Sequence, residues 1–291
     1  MSDIQYCFIG DDPELQREAV DLLARCFTVW AERKITFRGR FPFREHSFIA
    51  RDPAGEAVGH LGIIPFEIQN DNGDWIAMAG VASVAVLPEW RMKGIAGKLC
   101  EEAAHHAVRC NFAAMPLYTA AVRVYEKSGW QVVPSGAKLL KNPASSGDSG
   151  WRDGSSLSEN EREFIINCYQ NMPPLAGRVK RTFDAYDAVS WQRLFSKPCH
   201  RWQLNDSGYI LRVDGTIGEG CGDWKNIPGG SETALISEND PFYTTLINSG
   251  WSDITATYQL PPCWDGETVM LKNLQEKLTP GNIFFPLANK F

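Results

Sequence analysis

The sequence predicts an α+β protein: an antiparallel meander with a helix laid across it, then a second half in which helices come first and strands after. Three observations carry this. Ala57–Gln69 and Trp75–Val86 are apolar, β-rich runs joined by Asn70-Asp71-Asn72-Gly73, a turn signal. The stretch 79–87 ends at Pro88 and leads into a segment whose apolar residues Ile95, Leu99, Ala103 and Ala107 recur every fourth position, one face of a helix. From Ser158 onward, helical periodicity gives way to short strand patterns.

At 291 residues the chain has room for two domains of roughly 100–200 residues each. Its 44% apolar and 22% charged residues are those of a globular chain and set disorder aside. No apolar run approaches the roughly 20 residues that cross a bilayer, and MSDIQYCFIGDD lacks the basic start and apolar core of a secretory leader. A cytoplasmic protein with no membrane partner is expected. A net charge of −6 speaks against a nucleic-acid partner, whose phosphates need a basic face. The cysteines at 7, 26, 100, 110, 168, 199, 221 and 263 form no Cys-x-x-Cys pair and have no histidine at ligand spacing, so neither a metal site nor a redox pair is suggested.

In order, residues 4–9 form a first strand and residues 13–30 a helix. Leu15, Ala19, Leu22, Leu23, Cys26 and Phe27 share one face of it, with Asp12 as cap and Pro13 at the first position. Residues 28–43 are aromatic and basic, a short helix and loop over the core. Ser47–Arg51 joins the two long strands in the meander through Asp52-Pro53-Ala54-Gly55. The turn Arg91-Met92-Lys93-Gly94-Ile95-Ala96-Gly97 then sets two cations and two glycines at a helix N-terminus, where unpartnered N–H groups and the helix dipole favour an anion. Gly94 has no side chain to keep a phosphate from the backbone, and Arg91 and Lys93 neutralise its charge. This fits a diphosphate cradle, although a solvated strand-to-helix turn uses the same residues. Residues 111–119 form a short strand and 120–128 a short helix closed by Gly129. Tyr125 on that helix is a packing residue with its hydroxyl at the surface, or a proton donor, since a phenol donates at neutral pH.

The string IIPFEIQNDNGDWIAMAGVASVAVLPEWRMKGIAGKL, with Arg91, Gly94 and Ala96 filling the pattern Gln/Arg-x-x-Gly-x-Gly/Ala, resembles the GNAT acetyltransferase superfamily, and more narrowly its Eis-type multi-domain group. The resemblance runs from about residue 4 to residue 133. It implies a GNAT fold, α/β/α with a mixed, mostly antiparallel sheet, and an N-acetyltransferase that moves acetyl from acetyl-CoA, with no metal, to a primary amine of a small molecule or peptide. Backbone groups around Val84 and Val86 would hold the pantetheine arm, and Arg91, Met92, Lys93, Gly94, Ile95, Ala96 and Gly97 the diphosphate. Phe27, Trp30 and Phe37 would line the acceptor pocket. Tyr125, in Tyr125-Glu126-Lys127-Ser128-Gly129-Trp130, would protonate the departing thiolate. Many relatives have an Asn near the start of this helix; here Ala120 and Ala121 stand there, which leaves coenzyme contacts to the backbone.

A base for the amine is not singled out. Glu67, Glu89 and a water chain remain open, and Eis-type proteins use their C-terminal carboxylate, here that of Phe291. His105 and His106 are adjacent on a helix and point to different faces, so they cannot pair with each other. No Gly-x-Ser-x-Gly elbow occurs. A non-catalytic acyl-CoA-binding module and a transferase of longer acyl groups are the rival readings. Eis-type relatives form rings, so the resemblance leaves a homo-oligomer open.

Residues 138–156 are rich in Gly and Ser and read as an exposed connection, dividing the chain into 1–140, a linker at 141–157, and 158–291. Ser158-Glu159-Asn160-Glu161 is a capping box ahead of Phe164, Ile165 and Cys168. A helix at 182–195, strands at 200–204, 209–213 and 233–236, a helix at 241–249 and strands at 254–260 and 282–287 are expected. Gly218-Glu219-Gly220-Cys221-Gly222 reads as a loop in which Glu219 would repel phosphate. This half has the order of a second GNAT-like unit without a cradle, a degenerate copy in the Eis-type scheme. The third, sterol-carrier-like domain of that group is not expected in a chain of this length.

Overall fold

The computed structural model of the protein describes residues 3–43, 46–133, 137–142, 150–184, 187–222, 233–257, 268–275 and 278. After β1 (Gln5–Phe8), Asp12 accepts from the amides of Glu14 and Leu15 at 2.8 and 3.1 Å and starts α1 (Pro13–Cys26). The helix expected to reach residue 30 stops at Phe27, which is extended, and α2 (Thr28–Glu32) and α3 (Lys34–Gly39) follow as separate short helices. Packing of Trp30 on Phe37, Phe41 and Phe43 decides this stretch over helical period.

The strands β2 (Ser47–Arg51), β3 (Ala57–Gln69) and β4 (Trp75–Val86) have the expected bounds. A 3₁₀ turn at Pro88–Trp90, α4 (Ile95–Arg109), β5 (Ala114–Thr119), α5 (Val122–Glu126) and β6 (Gln131–Val132) follow. The rest of the chain supplies β7 (Ala137–Lys141), β8 (Arg152–Asp153), α6 (Glu159–Gln170), α7 (Trp191–Ser196), β9 (His200–Asn205), β10 (Gly208–Val213) and β11 (Thr216–Cys221). Then come β12 (Thr233–Ser237), α8 (Pro241–Asn248), β13 (Ser252–Asp253) and β14 (Thr268–Asn273).

Two sheets of seven strands result, ordered β1-β2-β3-β4-β5-β14-β6 and β13-β7-β12-β11-β10-β9-β8. Each is antiparallel apart from one parallel pair, β4 with β5 and β11 with β12, so the two halves repeat one mixed, mostly antiparallel plan. Layering in the first sheet follows from strand alternation. Leu61, Ile63, Ala79 and Val81 meet the α4 stripe Ile95, Leu99, Ala103 and Ala107, while Ile49 and Ala85 meet Val20, Leu22 and Leu23 of α1 on the other face. Each buried Val, Leu or Ile among them contributes roughly 1.5–3 kcal/mol. Among the described residues no helix is long and apolar enough to cross a membrane.

Several expectations are corrected. Residues 137–141 of the supposed connection form β7, inside the second sheet with Leu140 fully buried. The helix expected at 182–195 is confined to α7. Instead the chain at 177–182 runs beside the end of β3, with Val179 bridged to Ile68 and the Lys180 amide donating to the Glu67 carbonyl at 2.8 Å. Residues 254–257 turn rather than extend, closed by the Thr257 amide on the Ile254 carbonyl at 2.9 Å; 258–260, the strand expected at 282–287 and Phe291 lie outside the described residues. The glycine-rich stretch at 218–221 is not a loop but part of β11, paired with β10. Finally, β14 had no sequence forecast. It pairs with β5 from Thr268 opposite Thr119 to Asn273 opposite Ala114, carrying the late chain into the first sheet.

Candidate active site

β4 and β5 share a single register pair, Met78 with Ala114, supported by the Ala113 amide on the Ala77 carbonyl at 2.8 Å. Beyond it the two parallel strands share no further register pair among the described residues, with Val84 and Val86 near the end of β4 and Thr119 at the end of β5. The chain leaves β4 through the 3₁₀ turn into the cradle. Met92 (φ +61°) and Gly94 (φ +80°) are both left-handed, which curls successive amides toward one side. Gly94 is the N-cap of α4 and has no side chain to cap the helix, so Ile95, Ala96 and Gly97 offer first-turn amides that no side chain among the described residues caps. A Cβ built on Gly94 meets nothing within 4 Å, so space for a ligand lies against the backbone.

The side chains divide as this geometry requires. Ile95 is buried in the core and contributes only its N–H, and the Met92 side chain is fully exposed. Arg91 is tethered by its Nε to the Val86 carbonyl at 3.0 Å, which fixes the guanidinium beside the end of β4. Lys93 Nζ lies 4.1 Å from the centre of the Trp90 ring. Arg91 and Lys93 thus stand in the segment just before the first amides of α4, while Lys98 is turned to Glu101 and Glu102.

A feature absent from the sequence reading sits one turn of chain earlier. On β3 and β4, His60 pairs with Ala85 but Gly62 with Ala82, so β4 carries one extra residue, and Ser83 there has φ +51°. Such a bulge withdraws a residue from the ladder and re-aims the strand. The Ser83 carbonyl accepts from His60 Nδ1–H at 3.0 Å, which fixes that tautomer; His60 is fully buried and its Nε2 has no partner. Phe43 packs on the His60 ring at 5.6 Å and on Trp30 at 5.9 Å. It comes so close to Gly62 that a Cβ there would sit 2.6 Å from the ring. Of the acceptor candidates, Trp30 is 5% exposed and belongs to this aromatic stack, Phe37 leans on Trp30 at 4.3 Å, and Phe27 is exposed.

Burial pushes His60 down to about 4, against the Ser83 hydrogen bond that raises it, and burial does the same to His200, also to about 4. Both are neutral at physiological pH. A base depressed in the fold stabilises above its unfolded value of about 6.5 and loses that contribution as pH falls toward the folded value. Buried Asp240, raised to about 6, works in the opposite sense but is one group against two. Urea midpoints should therefore fall between about pH 6.5 and about pH 4, and two of the five imidazoles should remain neutral in NMR titrations at about pH 5. Five imidazoles all titrating above pH ~6 would contradict the burial.

Beyond β5 the chain enters α5, and Thr119 Oγ1 accepts from the Ala121 amide at 2.8 Å, a side-chain turn between strand and helix. Tyr125 is 9% exposed, set edge-on to Trp130, more buried than a surface residue. Trp130 is held by its Nε1–H on the Met115 carbonyl at 2.9 Å, and Lys272 of β14 donates to the Ser128 carbonyl at 2.6 Å. The proposed bases lie elsewhere. Glu67 is 2.6 Å from Lys180 Nζ, seven residues along β3 from His60, or about 20 Å at strand rise. Glu89 faces Arg25 at 3.5 Å. A cleft of about 720 Å³, lined by Phe66, Glu67, Trp75, Lys180, Phe183 and Trp191 among others, shares no residue with the cradle.

Residues 13–133 match the model of the acetyltransferase (GNAT) domain. No curated protein matches the chain. Among solved structures, the GCN5-related N-acetyltransferase from Anabaena variabilis is 18% identical with a TM-score of 0.62, covering 94% of this chain and 73% of that one. The GCN5-related N-acetyltransferase from Kribbella flavida is 15% identical with a TM-score of 0.60, covering 94% and 72%. Eis1 from Mycobacterium abscessus is 12% identical with a TM-score of 0.59, covering 94% and 74%. At these identities the likeness is one of fold, and it takes in both sheets. The expected GNAT domain is borne out over residues 13–133, and the likeness to Eis1 is one of fold.

Proposed function

From a chain that carries a GNAT acetyltransferase domain over residues 13–133, we propose an acetyl-CoA-dependent N-acetyltransferase acting on a primary amine of a small molecule or peptide. The observation that carries this is the uncapped start of α4, where Gly94 leaves open space and Arg91 and Lys93 flank unclaimed amides. Four or more negative charges of a coenzyme diphosphate and ribose phosphate are what such a corner accommodates. The gap between β4 and β5 then takes the pantetheine arm beside Val84 and Val86, with the bulge at Ser83 turning backbone amides toward the thioester oxygen. The neutral amine nitrogen attacks the carbonyl carbon, the carbon–sulfur bond breaks as Tyr125 gives its proton to the leaving sulfur, and the proton that the nitrogen sheds in becoming an amide restores the phenol through solvent. The proton lost by the incoming ammonium goes to a base or a water chain; Glu67 and Glu89, each beside a cation, are poorly placed for it.

The acid assignment has its own readout. Tyr125→Phe should lower kcat by roughly 10²-fold or more and leave the KM for acetyl-CoA within about twofold, since uniform binding is untouched. Coenzyme release measured over a panel of polyamines, aminoglycosides and amino acids tests the function itself. Tight acetyl-CoA binding without turnover on any acceptor would favour an acyl-CoA-binding module instead, and turnover only with longer acyl-CoAs a different donor. Neither nucleic acid nor a membrane figures as partner in this reading, which is that of a cytoplasmic enzyme.

A further inference from the structure

At the other end of α4 three donor atoms that the mechanism does not use meet. His46 precedes β2, His106 lies in the last turn of α4, and Cys110 is the residue that ends it. His46 Nδ1 is 2.8 Å from His106 Nε2, and His106 Nε2 is 3.4 Å from Cys110 Sγ. All three atoms fall within 4.8 Å of one another. We propose that His46, His106 and Cys110 form a binding site for a transition-metal ion of the zinc class.

The donor set argues for that class. Two imidazoles and a thiolate suit borderline-soft Zn²⁺, whereas Mg²⁺ and Ca²⁺ take oxygen ligands. Zinc bonds of about 2.0–2.1 Å to nitrogen and about 2.3 Å to sulfur in a tetrahedron place ligand atoms roughly 3.3–3.8 Å apart. To admit the ion the two rings part by about half an ångström, and His46 and Cys110, now within 4.8 Å of each other, close on it from either side of His106. His106 and Cys110 stand four apart on one helical face, so the helix sets their separation. His46 is fixed by its backbone: its amide donates to the Phe43 carbonyl at 2.9 Å and its carbonyl accepts from Ile63 at 2.7 Å. Phe8 and Phe48 pack on the His106 ring, at 5.0 and 5.6 Å, and Phe112 on His46 at 5.7 Å, which holds both imidazoles in orientation.

Cys110 is exposed, which gives the ion a route in and leaves its fourth position to water. Binding forms the Zn–S bond as the thiol releases its proton to solvent, with no change of oxidation state. The ion would clip the C-terminal end of α4 to the entry of β2. The cradle lies twelve residues back along the helix from His106, about 18 Å at 1.5 Å per residue, so the clip is a structural site separate from the coenzyme.

The full chain, freed of metal with a chelator, should take up one equivalent of Zn²⁺ in competition with a chromophoric chelator, and its Tm should rise. Co²⁺ in place of Zn²⁺ should give a thiolate-to-cobalt charge-transfer band. Cys110→Ser should abolish that band and weaken zinc binding about tenfold or more, and His106→Gln should weaken it comparably. Both variants should bind acetyl-CoA as the parent does, which shows them folded. Absence of stoichiometric uptake overturns the proposal. So does a cobalt band or zinc affinity that survives in Cys110→Ser, because the remaining cysteines would then be the ligands.

Discussion

Gly94→Asp is expected to weaken acetyl-CoA binding by about a hundredfold or more and to leave the protein folded. Two effects add. A carboxylate about 4 Å from a phosphate charge costs roughly 1 kcal/mol in bulk water and about 4 kcal/mol at an effective dielectric near 20, and this exposed corner lies between those limits. An Asp at an N-cap also accepts from first-turn amides, worth about 1 kcal/mol, and so occupies the donors that the diphosphate needs. Their sum approaches the roughly 2.8 kcal/mol of a hundredfold loss. Nothing lies within 4 Å of the new Cβ, so the substitution creates no clash. The φ of +80° costs Asp on the order of 1 kcal/mol, partly offset by a negative charge at the positive end of the helix. Gly94→Ala separates the causes. It bears the backbone cost without the charge and should lose no more than a few-fold in affinity. Calorimetric titration with acetyl-CoA beside a thermal melt gives both numbers. Affinity in Gly94→Asp within about threefold of the parent would mean that the phosphates lie elsewhere, and the cradle would fall with that result.

The turn we propose as a cradle is legible as a turn because its parts are contiguous: two cations, a glycine and the start of a helical period within one short stretch. The bounds of β2, β3 and β4 were legible for the same reason, since apolar runs and Asp/Asn-Gly turns are local signals. What escaped was set by partners distant in sequence. Ser83 carries no compositional mark of a bulge; only its register against His60 and Gly62 shows one. His60 looks like a polar position on a strand, yet it is fully buried behind that bulge. Thr268–Asn273 has a strand's composition, but its partner β5 lies some 150 residues earlier, and nothing local says that the late chain returns to the first sheet. His106 and Cys110 stand at helical ligand spacing that was open to notice, whereas His46, sixty residues earlier, becomes their neighbour only through the fold. Glycine misled in the second half. Gly218 and Gly220 give β11 the look of a loop, and the charge of Glu219 between them says nothing of the partner it meets in the fold.

What Glu219 meets supplies the second large effect: Arg181→Met is expected to destabilise the protein by about 3–5 kcal/mol. Glu219 is buried in β11, and Arg181 reaches it with both Nη groups, one of them at 2.9 Å. Tyr209 donates its hydroxyl to the same carboxylate at 2.6 Å. The guanidinium lies against Tyr169 at 4.0 Å and Trp191 at 4.7 Å, two rings that meet edge to face. Burial, and then the Glu219 charge, raise the Tyr209 phenol well above its usual value, so it stays a donor. Removing Arg181 leaves a carboxylate without its counter-ion in an apolar surround, which is where such pairs are costly to break. The loss concerns the junction of the halves, because Arg181 lies in the same short segment whose Val179 and Lys180 pair with β3. At a urea slope of about 2 kcal/mol per molar, the midpoint should drop by roughly 2 M. The double variant Arg181→Met with Glu219→Met should recover part of that loss, since replacing both charges removes the desolvation cost along with the attraction. A single variant within about 1 kcal/mol of the parent would show that water reaches the carboxylate. Acetyl-CoA affinity of the folded Arg181→Met protein should be unchanged, because the pair holds the second sheet against the end of β3 while the cradle stands past the opposite end of β4.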